Sequence, residues 1–279
     1  MPIYDLSYRH WEGPLGAAGW RWRVIAEAGI RLLVGQRRFV FLLMLSWMPF
    51  FIQAFTLYLM LVKGTSLGFS VGPAFFQNAF NVQMFPLVLV TIYAGSGLIA
   101  GDLAANALPL YFAKPITRLD YVAGKFAVIA AFLGLVFLLP VLFLFLFAAG
   151  VSPDLTFLRE NYWVFFSILG YGLLVVFMTS LFILGLSCTS HSGRAVGVAF
   201  IAAVIFSSMM GRMLSLILRT DQVLAVSLAH NLTRLSAAFF RQPSSLQLHW
   251  AVSLGVAALL VAWSGWMLSR RIRPVEVVA

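Results

Sequence analysis

Residues 126–149 read FAVIAAFLGLVFLLPVLFLFLFAA, a run without a single charged or hydrogen-bonding side chain. About 20 apolar residues in a helix cross the hydrocarbon core of a bilayer, and this run exceeds that length. The rest of the chain is similar: 62% of its 279 residues are hydrophobic, 10% are charged and the mean hydropathy is +0.95. One water-soluble core cannot hide that much apolar surface. The sequence therefore predicts an integral membrane protein.

On both sides of this run, further apolar stretches reach the length of a span. The six predicted spans are Phe39–Val62, Phe80–Ala100, Phe126–Ala149, Trp163–Ser187, Ala195–Leu218 and Trp250–Leu268. They are too long for barrel strands and do not alternate between apolar and polar residues, so we predict helices. The fold class that follows is an all-α integral membrane protein with six transmembrane helices, preceded by an interfacial helix. It forms one membrane domain over residues 1–279.

Lysine and arginine lie mostly in alternate connections, which predicts the orientation. One side holds the segment 1–38, the second and fourth connections and the C-terminal tail, whereas the other holds Lys63, Arg159, Arg219, Arg234 and Arg241. Both termini are therefore expected in the cytoplasm. The net charge of +10 reflects this bias and attraction to anionic membrane lipids. We expect no nucleic-acid partner, because no basic helix face or aromatic stacking platform lies outside the membrane.

A surface helix is predicted just before the first span, over Trp20–Arg38. Arg23, Glu27 and Arg31 recur at every fourth residue on one face, while apolar residues lie on another. Gly35 predicts a break before the span begins. The alternative is that this segment is simply a cytoplasmic extension of the first span.

The second connection, residues 101–125, reads GDLAANALPLYFAKPITRLDYVAGK and returns to water only briefly. Thr117 and Asp120 have the spacing of a capping box at the start of the third span. Before them, a short helix would place Leu108, Tyr111 and Phe112 on one face. That face is either a docking surface for a soluble partner or an ordinary loop with its aromatic rings in the headgroup layer.

Motifs for independent chemistry are absent from the sequence. It has no GxxxxGK[ST] phosphate loop and no carboxylate inside a predicted span, so energy for any movement must come from another protein. The histidines lack helical ligand spacing, so no metal site is expected, and Ser96 has no partner that would activate it for catalysis. Arg212 is the one ionisable residue within a predicted apolar run, at its outer boundary or in a re-entrant element.

Neutral polar residues in and beside the spans have two interpretations: they line a path for an amphiphile, or they form hydrogen bonds between helices. The candidate path-lining residues are Gln53, Asn81, Gln83, Thr179, Ser180 and Ser207. An amphipathic segment follows over residues 219–249. Its apolar face, with Leu228, Leu232, Leu235 and Phe239, is expected to lie in the outer leaflet, where it could gate an exit.

The layout, and above all the segment from Asp102 to Lys125, resembles the permease subunits of type-2 ATP-binding-cassette (ABC) transporters. The resemblance implies a coupling helix that sits in a cleft of a separate ATPase, with a contribution from the surface helix. The implied coupling residues are Asp102, Asn106, Leu108, Tyr111, Phe112, Lys114, Pro115 and Arg118, assisted by Arg23, Glu27 and Arg31.

The resemblance further implies a homodimer, or a pair with a similar permease, in the plasma (bacterial inner) membrane. Two separately encoded ATPase subunits would bind ATP and Mg, so this chain would not itself be catalytic. The expected function is ATP-driven export. The alternative is a non-transporting membrane anchor or assembly platform for an envelope machine that uses the same contact with a soluble ATPase.

Overall fold

The computed structural model describes residues 20–67, 71–114, 116–151, 156–243 and 248–272, without the side chains of 62–67 and 156. These residues form helices and connections, with no strand among them. The helices are α1 (Arg21–Val34), α2 (Arg37–Ser46), α3 (Met48–Leu67), α4 (Pro73–Gly95), α5 (Gly97–Ala104), α6 (Leu108–Phe112), α7 (Arg118–Leu133), α8 (Leu139–Val151), α9 (Thr156–Ser187), α10 (Gly193–Leu218), α11 (Leu228–Phe239) and α12 (Trp250–Arg271). A π-helical turn, Gly134–Leu138, joins α7 to α8, and a 3₁₀ helix, Asp221–Val226, precedes α11.

Six helical units in the described chain are long and apolar enough to cross a membrane, which confirms the predicted all-α membrane fold. They are Arg37–Leu61, Pro73–Ala104, Arg118–Val151, Phe157–Ser187, Gly193–Leu218 and Trp250–Arg271. Several extend well beyond the predicted bounds, because helical hydrogen bonding continues past the apolar run into polar flanks. The third unit, for example, begins eight residues earlier than predicted, at the capping box.

The centre of the bundle is α9, which packs against α4, α7, α8, α10, α11 and α12. Small residues allow close approach, as membrane helices require in the absence of a hydrophobic force between them. A Cβ on Gly95 of α4 would lie 2.8 Å from Ile183 of α9, and one on Gly172 of α9 would lie 2.4 Å from Leu138. The helices α3, α10 and α12 leave most of their described apolar side chains exposed, as lipid-facing helices do, and of the apolar side chains of α2 only Phe39 is buried.

Two of the spans are irregular next to a proline, and one buried amide forms hydrogen bonds to both irregular regions. The first span breaks at Trp47, two residues before Pro49, and the third contains its π-helical turn just before Pro140. Pro140 has no N–H to offer the Val136 carbonyl four residues earlier. Gln83, 1% exposed, supplies that donor at 2.6 Å and also donates to the Ser46 carbonyl at 2.9 Å.

The surface helix α1 ends at Gly35, where the break was predicted, and packs against α7. Two glycines permit this contact. A Cβ on Gly124 of α7 would lie 2.7 Å from the Ile25 side chain, and one on Gly29 of α1 would lie 2.7 Å from Val128. This part of α1 is thus held on the bundle. The rest of the segment 1–38 that precedes residue 20 lies outside the described residues.

The segment after α10 folds back along that helix, so that Ser227 contacts Gly211. From there α11 runs along α9, where the Tyr171 hydroxyl donates to the Leu232 carbonyl at 3.3 Å and the Ser167 hydroxyl to the Phe239 carbonyl at 2.8 Å. The expectation that the apolar face of α11 lies in lipid is wrong. Leu235 is 2% exposed and the other apolar residues of the face pack on the core, because α9 offers a closer-packed surface than lipid chains.

Candidate functional site at the basic end of the bundle

A cleft of about 760 Å³ lies at the end of the bundle that carries α1, α6 and the start of α7, referred to below as the basic end. Its walls come from α1, α5, α6 and α7. The lining residues are Arg21, Val24, Ile25, Ala28, Gly29, Leu32, Leu98, Asp102, Ala107, Leu110, Tyr111, Lys114, Ile116 and Lys125. Half of these residues belong to the segment 101–125, and most of the others belong to α1.

A tight reversal of the chain places α6 beside α5. The Ala107 N–H donates to the Asp102 carbonyl at 2.9 Å, and Asn106 has a φ of 48°, in the left-handed region that asparagine tolerates. Pro109 lies in the first turn of α6, where its missing N–H breaks no helical bond. Asp102 belongs to α5, and the short helix predicted to carry Leu108, Tyr111 and Phe112 begins at Leu108.

A buried ion pair fixes α5 to α7. Lys125 Nζ lies 2.7 Å from Asp102 Oδ2, with the lysine side chain 9% and the aspartate side chain 20% exposed. The Tyr121 hydroxyl donates to the same Asp102 oxygen at 2.6 Å. The pair is thus largely desolvated, and the Asp102 carboxylate is compensated by the lysine charge and the tyrosine hydroxyl, an arrangement in which a buried charge is tolerated. Lys125 and Tyr121 occur four residues apart, so they share one face of α7.

Aromatic rings attach α6 to this network. The Tyr111 and Tyr121 ring centroids are 5.1 Å apart in an edge-to-face arrangement, and Lys125 Nζ lies 5.8 Å from the Tyr111 ring. Burial, together with the nearby Asp102 charge, raises the pKa of Tyr111, so its hydroxyl stays neutral. Because α5, α6 and α7 are joined through these groups, α6 is expected to transmit a displacement to both adjoining spans.

The entry to the third span is also fixed, by the predicted capping box. Thr117 Oγ1 accepts from the Asp120 N–H at 3.1 Å, and the Thr117 N–H donates to Asp120 Oδ2 at 3.0 Å. Lys114 precedes this cap and is exposed at the rim of the cleft. Pro115 lies outside the described residues.

A serine links the same end of the bundle to α9. Ser187 Oγ accepts from the backbone N–H groups of Ile99 and Ala100, at 3.1 and 3.0 Å, and donates to the Ser96 carbonyl at 2.9 Å. Ser96 is where α4 gives way to α5. The junction is therefore held by three hydrogen bonds to the central helix.

The exposed apolar residues of this region differ from those expected. Leu108, Tyr111 and Phe112 face the protein: Leu108 is 9% exposed and the two rings pack on the core. Leu110, between them, is 74% exposed and lines the cleft, and Leu119 at the start of α7 is 80% exposed. The spacing that grouped the three residues was correct, but it could not tell which face the protein would cover.

On α1, the predicted charged face points to solvent. Glu27 and Arg31 form an ion pair of 2.7 Å with side chains 72% and 80% exposed, and Arg23 stacks over Trp20 at 4.2 Å. These residues do not line the cleft, whereas Arg21 does. Asn106 and Arg118 are also exposed, at the chain reversal and at the first residue of α7. Tyr121 and Lys125 were not among the predicted coupling residues. Their four-residue spacing, which places them on the same face of α7, was the feature of the sequence that could have indicated them.

The six candidate path-lining residues lie in different places. Gln53 lines a cavity of about 590 Å³ between the first two spans, and Asn81 and Thr179 line another of about 340 Å³ beneath α11. Gln83 faces the core, as does Ser180, whose hydroxyl has no partner in the described part of the chain. Ser207 Oγ accepts from the Leu228 N–H at 3.4 Å.

Comparison with known proteins adds no family: no family model matches this chain, and no curated protein matches it. The chemistry of the basic end must therefore be judged from its geometry. It offers a concave surface, an exposed leucine, a cationic rim and a rigid internal support. Such a surface suits the binding of a protein segment.

Proposed function

We propose that this chain is the permease subunit of an ATP-driven exporter, of the type-2 ABC kind that its sequence resembles. Two permease copies, identical or similar, would carry two separate ATPase subunits that bind ATP and Mg. The basic end would lie in the cytoplasm of a bacterial inner membrane, with both termini on that side, as the distribution of lysine and arginine favours. Surrounding membrane lipids complete the assembly.

The observation that carries this proposal is the cleft at the basic end with α6 locked into it. A docking element must be exposed to its partner and yet connected stiffly to the spans. Leu110 meets the first requirement, being 74% exposed, and the Asp102–Lys125 pair meets the second, at 2.7 Å. Closure of the ATPases on ATP would push α6, and the push would pass to the second span through Asp102 and to the third through Lys125.

The proposal is tested by replacing the exposed leucine. Leu110→Asp places a charge at the centre of the docking surface, where desolvation makes it costly. We expect it to abolish co-purification with the ATPase that a neighbouring reading frame should encode, while membrane insertion is unchanged. Tyr111 and Phe112 are poorer choices, because they hold α6 itself against α7.

The matched control is Val226→Asp, at the opposite end of the bundle, where a side chain 52% exposed receives the same charge. Co-purification at the unaltered level for both variants would contradict the assignment of the cleft. A complex that forms and hydrolyses ATP in liposomes, but moves neither fluorescent lipid nor peptide, would instead favour the non-transporting anchor.

A further inference from the structure

A second polar site lies on α10, away from the cleft. Arg212 is exposed there among Met209, Met213 and Leu216, which are 66%, 61% and 79% exposed. At 1.5 Å per residue, Arg212 lies about 28 Å along the helix from Gly193. A hydrocarbon core is about 30 Å thick, so the guanidinium reaches the depth of the lipid phosphates on the side opposite the basic end.

Within the described residues, Arg212 has no carboxylate partner. The two ion pairs found there, Glu27–Arg31 and Asp102–Lys125, both belong to the basic end. An arginine at the boundary of a span is costly unless it meets an anion or water. Its exposure leaves it available to an anion from outside the chain.

Polar groups of the 3₁₀–α11 segment surround the same position. Ser208, one turn before Arg212, shares a pocket of about 240 Å³ with it. The Ser208 hydroxyl donates to the Val204 carbonyl at 2.8 Å, and Ser208 Oγ lies 3.3 Å from Ser227 Oγ, which in turn lies 2.7 Å from His230 Nδ1. Burial and the Arg212 charge lower the pKa of His230, so the imidazole is neutral near pH 7 and can donate a hydrogen bond. Arginine and imidazole suit a phosphate, and the hydroxyl hydrogen of Ser208 can rotate to it from the Val204 carbonyl.

An apolar cavity adjoins this pocket. Val204 lines both the pocket and the cavity of about 340 Å³ beneath α11, whose walls include Phe182, Phe200 and Leu232. The cavity extends from Val204, near the middle of α10, towards Phe200 and so away from Arg212. A pocket that places Arg212 and Ser208 towards phosphate depth, and an apolar cavity that leads inward from it, match the head group and the acyl chain of a lipid in the leaflet opposite the basic end.

We infer that Arg212, Ser208 and His230 bind the phosphate of an anionic membrane lipid, whose head group carries no ammonium to compete with Arg212, and that its acyl chain enters the cavity beneath α11. Binding of the lipid at this site does not depend on the ATPase. A role of the site in binding cargo rests on the transport function proposed above, and the cargo would then be an anionic amphiphile.

The test uses the purified full-length chain in detergent, without any ATPase, and native mass spectrometry to count bound lipid. Phosphatidylglycerol is titrated against phosphatidylcholine with the same acyl chains. Arg212→Gln is expected to weaken phosphatidylglycerol binding by about tenfold, the worth of one charge-assisted contact. The control is Arg194→Gln, the same change at the exposed opposite end of α10, which should bind normally.

A second variant tests the acyl chain. Ala229 is exposed and lines the cavity, so Ala229→Phe should fill it without disturbing the core and should also weaken binding. Equal binding of the two lipids, unchanged binding by Arg212→Gln, or unchanged binding by Ala229→Phe would each overturn the inference. Full displacement by inorganic phosphate would do so too, because it would show a free-anion site without a chain pocket.

Discussion

Replacing Gln83 by Met should destabilise the bundle only through the loss of two hydrogen bonds. Methionine has nearly the same length and volume, so little cavity forms. What disappears is the amide that donates to the Val136 and Ser46 carbonyls at 2.6 and 2.9 Å. Neither carbonyl has its usual helical donor. Residue 140 is proline, and the Phe50 N–H bonds to the Trp47 carbonyl instead.

The magnitude follows from the environment of the amide. A hydrogen bond between membrane helices contributes about 0.6–1.7 kcal/mol, so the two together contribute about 2 kcal/mol. That amounts to a roughly 30-fold change in the unfolding equilibrium. The assay is unfolding of the purified chain in mixed micelles at rising mole fractions of sodium dodecyl sulfate, followed by tryptophan fluorescence.

A double-mutant cycle tests the reason as well as the size. Pro140→Ala restores an N–H four residues after Val136, so that carbonyl gains a donor within its own helix. In the Pro140→Ala background, Gln83→Met should cost about 1 kcal/mol less than in the unaltered chain. Equal costs in the two backgrounds would refute the view that Gln83 compensates for the proline.

Two further stability predictions use the same unfolding assay, each with a matched control. Gly124→Ala should lower the free energy of unfolding, because its Cβ would lie 2.7 Å from the Ile25 side chain and force α1 away from α7. The control is Gly101→Ala, which should cause no loss because no atom lies within 4 Å of its Cβ position. Similar losses for the two variants would contradict the tight contact between α1 and α7. Ser187→Ala removes three hydrogen bonds at the junction of α4 and α5 and should cost about 1–3 kcal/mol. Ser253→Ala should be neutral, since the Ser253 hydroxyl has no partner in the described chain, and an equal cost there would show that loss of any buried serine has this effect.

Much of the local structure was predictable because its causes lie within a few neighbouring residues. The capping box at Thr117 and Asp120 depends only on local spacing and forms as predicted, and the Glu27–Arg31 pair forms on the predicted charged face of α1 for the same reason. Span number depends on the length of apolar runs, which the bilayer thickness limits.

The sequence by itself determined that the chain folds in a membrane, that its fold is all-α, and where the connection that holds α6 lies. Only the tertiary structure decided which side of that connection is exposed. Leu108, Tyr111 and Phe112 share a face whether it is covered or not. The packing of Tyr111 and Phe112 against Tyr121 of α7 turns that face inward and leaves Leu110 outside. The same holds for Gln83: its role depends on carbonyls freed in two other spans, which no local pattern records.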